Sequence, residues 1–102
     1  MRAGLDAIAV ALAAALAPVA AGAQDSPGRN LAASCAICHG TEGRQASGAL
    51  APLAGAPRDY LVQQLKDFRD GRRPATVMHQ ISKGYTEPQM EALAAFFAAQ
   101  KR

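Results

Sequence analysis

The chain has 102 residues and a formal net charge of +3, with three Phe, two Tyr, no Trp and two Cys. That length holds one domain, and two cysteines exclude a multiply bridged scaffold. So few aromatics and so small a basic excess exclude a nucleic-acid surface; they suit an electrostatically steered, short-lived encounter with an acidic partner.

The N-terminus reads as an export signal. Arg2 opens it, partly offset by Asp6; an apolar run follows from Ala7 to Ala17, Pro18 breaks that run, and Ala21-Gly22-Ala23 is a small-x-small cleavage pattern. The run is too short for a retained membrane span. Residues 1–23 are therefore expected to be a cleaved signal peptide and residues 24–102 the domain, exported to the periplasm with no stable membrane insertion. Arg2 and Asp6 leave together, so the charge is unchanged. Roughly 80 residues make a marginal core without a staple.

Ser26-Pro27 is a helix opening, a hydroxyl cap followed by proline at the first helical position. The helix is expected to run through Leu31 and Ala32 to a stop at Gly40, with Gly28, Ala32 and Ala33 keeping one face thin enough for another helix to cross closely. It carries Cys35-Ala36-Ile37-Cys38-His39, which contains both cysteines of the chain. Thiols at i and i+3 point the same way, so each can add to one vinyl group of a single haem, and the adjacent His39 can then offer a ring nitrogen to the iron as proximal ligand. Three other readings compete. A thioredoxin-like dithiol belongs beside a βαβ pattern, of which there is no sign. A structural disulfide would leave the histidine without a purpose. A zinc site needs a second ligand pair, and His79 alone is one group short.

From Thr41 to Pro57 the composition turns to Gly, Ala, Pro and Ser without periodicity. Leu50 and Leu53 argue for an ordered loop over one edge of the haem rather than a linker. Arg58 to Asp70 reads as the second helix, stopped by Gly71, with Leu61, Leu65 and Phe68 recurring at i, i+4 and i+7 and Val62 widening the stripe. Tyr60, Leu61, Leu65 and Phe68 are expected in the core, as possible haem walls. Lys66, Arg69, Arg72 and Arg73, diluted by Asp67 and Asp70, read as a solvated, ion-paired face.

The sixth iron ligand decides between an electron carrier and an open, ligand-binding haem. Met78 follows Pro74-Ala75-Thr76-Val77, far enough from His39 for loop and helix to wrap the ring, and a thioether there would raise the potential. His79 is the adjacent rival, and an open site the third possibility. Met90 is explained as core, since Thr86 and Gln89 form a capping box, Tyr85 and Met90 a hydrophobic staple, and Met90, Leu93, Ala94 and Phe97 one stripe of a last helix running out at Gln100-Lys101-Arg102.

These features together resemble the class I c-type cytochromes over essentially the whole mature length: the haem motif near the N-terminus, Leu53-Ala54-Gly55, Tyr60-Leu61 with Gln64-Leu65 and Phe68, then a methionine, and a last helix ending Leu93-Ala94-Ala95-Phe96-Phe97. The resemblance implies an all-α fold, a small class I cytochrome c fold of three to four helices wrapped around one covalently attached haem c. It also implies the family's methionine-to-last-helix spacing, which selects Met78. The site residues are then Cys35 and Cys38 as thioether anchors, with His39 and Met78 on the two sides of the iron. Pro52 directly precedes Leu53, whereas relatives often place the proline two residues before this segment, so the backbone support of the histidine is not assigned to Pro52. The run Gln64 to Met78, followed by Ile81-Ser82-Lys83-Gly84-Tyr85, is most similar to the cytochrome subunit of flavocytochrome c sulfide dehydrogenase. The implied role is not an enzyme's own. It is to take electrons from an FAD-containing flavoprotein subunit that oxidises sulfide and to pass them to other redox carriers. A free-standing shuttle, and a ligand-binding or peroxidase-like haem protein with an open sixth site, are the alternatives.

Overall fold

The computed structural model describes residues 26–48 and 50–102, so the signal-peptide reading falls outside the described residues. All regular structure among them is helical. Helix α1 spans Pro27–Ala32, capped as expected: the Ser26 hydroxyl accepts from the Arg29 N–H at 3.1 Å, and Pro27 takes the first turn. The helix does not continue unbroken. It tightens into a 3-10 turn at Ala33–Cys35, relaxes into α2 at Ala36–His39, and stops where Gly40 adopts φ 81°. That left-handed conformation is costly for a side-chain-bearing residue and nearly free for glycine.

The thin face is narrower than expected. Gly28 and Ala32 are buried, but Ala33, five positions beyond Gly28, falls round the side into solvent. Against this face packs α5, Glu87–Ala98. A Cβ added to Gly28 would lie 2.4 Å from the Ala92 carbonyl oxygen and 3.1 Å from the Phe96 Cβ. The obstacle is backbone, so the two helices must separate. Gly28→Ala is expected to destabilise the fold by about 1–3 kcal/mol, visible as a lowered thermal midpoint. An unchanged midpoint would mean that the crossing is looser than these distances.

Helix α5 starts and faces inward as the sequence predicts. The Gln89 N–H donates to Thr86 Oγ1 at 3.3 Å, and the Thr86 N–H donates to Gln89 Oε1 at 2.9 Å, completing the capping box. Thr86→Ala is expected to cost about 1 kcal/mol, measurable by denaturant unfolding. Met90, Leu93, Ala94 and Phe97 are all buried. The helix ends at Ala98, short of the expected run to Arg102.

Helix α3 spans Arg58–Arg69, with Leu61 and Val62 buried and Gly71 turning the chain back at φ 77°. Tyr60 departs from the core expectation: it is 53% exposed, because one residue before Leu61 it sits off the apolar stripe. A short helix that periodicity did not signal, α4 at Met78–Ser82, packs against α3. Ala32, Leu61, Val62, Leu93, Ala94 and Phe97 form the core. The 41–57 loop is tied to it: the Gly43 carbonyl accepts from the Leu53 N–H at 3.0 Å and the Ala54 N–H at 3.3 Å, and the Gly55 N–H donates to the Phe97 carbonyl at 2.9 Å.

Candidate functional site

The helices leave a cavity of about 600 Å³ between them, a size that suits a cofactor. Cys35, Cys38 and His39 line it from the 3-10 turn and α2, residues 50–53 from the loop, and Tyr60, Leu61, Gln64, Leu65 and Phe68 from α3. Val77, Met78 and Ile81 close another side, while Leu93, Ala94 and Phe97 of α5 form the back. Most of these groups are apolar, so the cavity excludes water from whatever flat apolar group it holds. All four residues singled out in the sequence, Cys35, Cys38, His39 and Met78, border this one space.

The rivals of Met78 lie elsewhere. His79 does not line the cavity; its Nδ1 is buried and has no hydrogen-bond partner among the described residues. Met90 is 0% exposed within the helical core and is not on the cavity wall either.

His39 is held by a contact that the sequence left unassigned. Its Nδ1 lies 2.9 Å from the carbonyl oxygen of Ala51. A carbonyl can only accept, so Nδ1 carries the proton, and in the neutral ring Nε2 is the nitrogen with a free lone pair. This is the orientation a metal-ligating histidine requires. Pro52, the next residue, has no N–H and fixes its own φ, which stiffens the chain just after that carbonyl. Gln45 supports the same region: its side-chain amide donates to the Cys38 carbonyl at 3.0 Å, and its oxygen accepts from the Leu50 N–H at 2.6 Å. Neither Ala51 nor Gln45 carries a sequence signal for these contacts.

The cysteines are free thiols. Burial pushes the Cys35 thiol above its ordinary pKa, with a hydrogen bond to Ser34 offsetting part of the shift. A dithiol catalyst needs the opposite, a stabilised thiolate. Two thiols, an imidazole with a free nitrogen, a thioether and apolar walls form a donor set that fits a covalently attached haem. Among the described residues no cluster of three His, Cys, Asp or Glu groups offers an alternative metal site.

Charge at the C-terminal end of α3 is mostly paired. Arg72 donates to Asp67 at 2.9 Å, Arg69 donates to Asp70 at 2.8 Å, and Lys66 and Arg69 both approach Glu87. Hydrogen bonds from Gln63 and Arg72 hold the Asp67 carboxyl below the usual aspartate range, and Arg69 does the same for Asp70. A carboxyl whose pKa is depressed by folding stabilises the fold above its ordinary value and loses that contribution as pH falls through the depressed one. The contribution of these two carboxyls should accordingly be lost progressively as pH falls from about 5. Asp67→Asn should weaken the acid dependence of stability, measured as the thermal midpoint between pH 5 and pH 2 (roughly the window of carboxylate linkage); an unaltered profile would exclude Asp67 from it.

The Cytochrome c family model matches residues 26–101. The chain is 38% identical over 73 residues to the cytochrome subunit of sulfide dehydrogenase of Chlorobaculum tepidum, covering 72% of this chain and 66% of that protein. It is 42% identical over 71 residues to the thiosulfate dehydrogenase electron acceptor of Thiomonas intermedia, covering 69% and 33%. The solved cytochrome c4 of Acidithiobacillus ferrooxidans superposes with a TM-score of 0.64 at 32% identity, over 76% of this chain and 52% of that one. The chain thus spans less than two thirds of each of these relatives.

Proposed function

The chain belongs to the cytochrome c family, and from that premise we propose that it is a non-enzymatic electron carrier holding one haem c. The observation that carries this reading is the meeting of Cys35, Cys38, His39 and Met78 on a single apolar cavity. The two sulfurs would tether the ring. His39 would bind the iron through Nε2, its tautomer set by the Ala51 carbonyl, and Met78 would supply a second ligand from the same cavity. When bound, the haem supplies a one-electron ferric/ferrous couple whose potential thioether–imidazole ligation raises. The chain's own part is to keep both ligands in place in either state and to keep water off the ring. Helices α3 and α5 do so with Leu61, Leu65, Leu93 and Phe97, while the loop holds His39. Tyr60 and Val77 on the cavity wall are each 53% exposed and Ile81 is 43% exposed, and these residues offer apolar surface across which a partner can make brief contact.

The proposed donor is an FAD-containing flavoprotein subunit that oxidises sulfide, and the proposed location is the periplasm, reached by way of the signal at residues 1–23. The similarity to a sulfide dehydrogenase subunit supports this pairing; that to a thiosulfate dehydrogenase electron acceptor supports a free carrier as the second reading. Purification from the native periplasm tests the pairing. Co-elution of a flavin-bearing chain, with reduction of the haem on adding sulfide, is the expected result. A monomer that sulfide and flavoprotein leave oxidised would overturn it in favour of the free carrier.

A further inference from the structure

A second recess, of about 320 Å³, shares only Pro52 with the wall of the larger cavity. Gly43, Pro52, Ala54 and Ala56 give it apolar walls, and the side chains of Arg44 and Arg102 line it as well. These two arginines are far apart in sequence and are brought together by backbone contacts. Arg44 donates from Nη1 to the Lys101 carbonyl at 3.0 Å, which fixes the end of the chain beside the loop, and Arg102 donates from Nη2 to the Gly55 carbonyl at a long 3.5 Å. The Arg102 stem packs on Gly55, where an added Cβ would lie 2.7 Å from Arg102 Cγ. Charge here is not balanced. Arg44 and Arg29 already share the Glu42 carboxylate, at 2.6 and 4.0 Å, while Lys101 and Arg102 have no side-chain carboxylate within 4.0 Å among the described residues. Two guanidiniums on one recess repel each other unless an anion meets them, and most of their N–H donors are available to do so.

A bare inorganic ion would answer the guanidiniums and leave the apolar walls against water. A carboxylate carried on a small apolar body meets both, and the planar fork of arginine matches its two oxygens. We propose that the recess binds a small organic carboxylate, its anionic group held by Arg44 and Arg102 and its body against Pro52, Ala54 and Ala56. The assignment does not depend on the haem reading. Its link to that site is Pro52, which borders both spaces and follows the Ala51 carbonyl that holds His39.

The test titrates benzoate into the reduced protein, made with nitrogen-15 in a host that attaches haem, at constant ionic strength, and follows the backbone amides by NMR. Benzyl alcohol serves as the body without the charge and sulfate as the charge without the body. Benzoate is expected to shift the Gly43, Ala54 and Ala56 amides saturably, and neither control compound should match it. Binding should be about tenfold weaker in Arg102→Gln, which loses a charged donor at the exposed end of the chain, and Arg102→Lys should lie between that variant and wild type. Lys83→Gln removes the same charge from an exposed residue that does not line the recess, and should bind as wild type does. Shifts that fail to saturate, or that are as strong in Arg102→Gln as in wild type, would overturn the proposal. Equal binding of benzyl alcohol would overturn it by removing the need for an anion, and equal binding of sulfate by removing the need for an apolar body.

Discussion

Protein in which Cys35 and Cys38 are both alanine is expected to carry no porphyrin mass and to lose its cooperative thermal transition. The cavity these cysteines border holds about 600 Å³, a large volume beside a core made of Ala32, Leu61, Val62, Leu93, Ala94 and Phe97. Four of the walls, Leu61, Leu93, Ala94 and Phe97, belong to that core as well. A single apolar group filling the cavity therefore completes the packing of the whole domain. Without it the walls lose their contact atoms on one side, and a cavity far smaller than this one already costs several kcal/mol in a well-packed core. The net stability of a domain this size is itself only about 5 kcal/mol, so the loss exceeds what the fold can absorb. Intact mass and the near-ultraviolet circular dichroism melt measure both effects. A double variant that still melts cooperatively at the wild-type temperature would show that the helices pack independently of the tether.

Met78→Ala carries the second large effect. The variant should keep its porphyrin mass, because both cysteines remain, but lose the weak far-red sulfur-to-iron absorption band of the ferric protein. Its midpoint potential should fall, since a thioether favours the ferrous iron. The reduced variant should bind carbon monoxide rapidly at neutral pH, whereas the parent should not. The band's persistence in Met78→Ala would assign the sulfur to Met90, the other methionine of residues 24–102, tested through Met90→Leu. Absence of the band from the parent protein would instead point to His79, with its buried Nδ1, tested through His79→Ala.

Comparison of particular residues shows why part of the molecule was readable in advance. The Thr86–Gln89 capping box, the Ser26-Pro27 opening and the Met90, Leu93, Ala94, Phe97 stripe are each specified within one or two helical turns. Their physics is local, and they formed where the spacing placed them. Tyr60 was misread for a related reason. Its residue type suits a core, but a shift of one position along a helix turns it about 100° away from the stripe. Helix α4 was not foreseen because five residues cannot display a period, and its packing against α3 supplies what its own sequence does not.

The candidate donors Cys35, Cys38 and His39 stand within five consecutive residues, and two thiols and an imidazole at that spacing leave few uses. Met78 was grouped with them by its separation along the chain together with the resemblance to the class I c-type cytochromes. The support of that site depended on the tertiary structure. The carbonyl of Ala51 reaches His39 across twelve positions, and a backbone oxygen leaves no mark in a side-chain pattern. Of the basic run Lys66, Arg69, Arg72 and Arg73, the first three have carboxylate partners and Arg73 has none among the described residues, a difference that the run itself does not display. Local sequence determines which groups can react and which faces are apolar. Long-range closure of the chain decides which acceptors face those groups and which charges are left unmatched, because those relations exist only between segments that folding brings together.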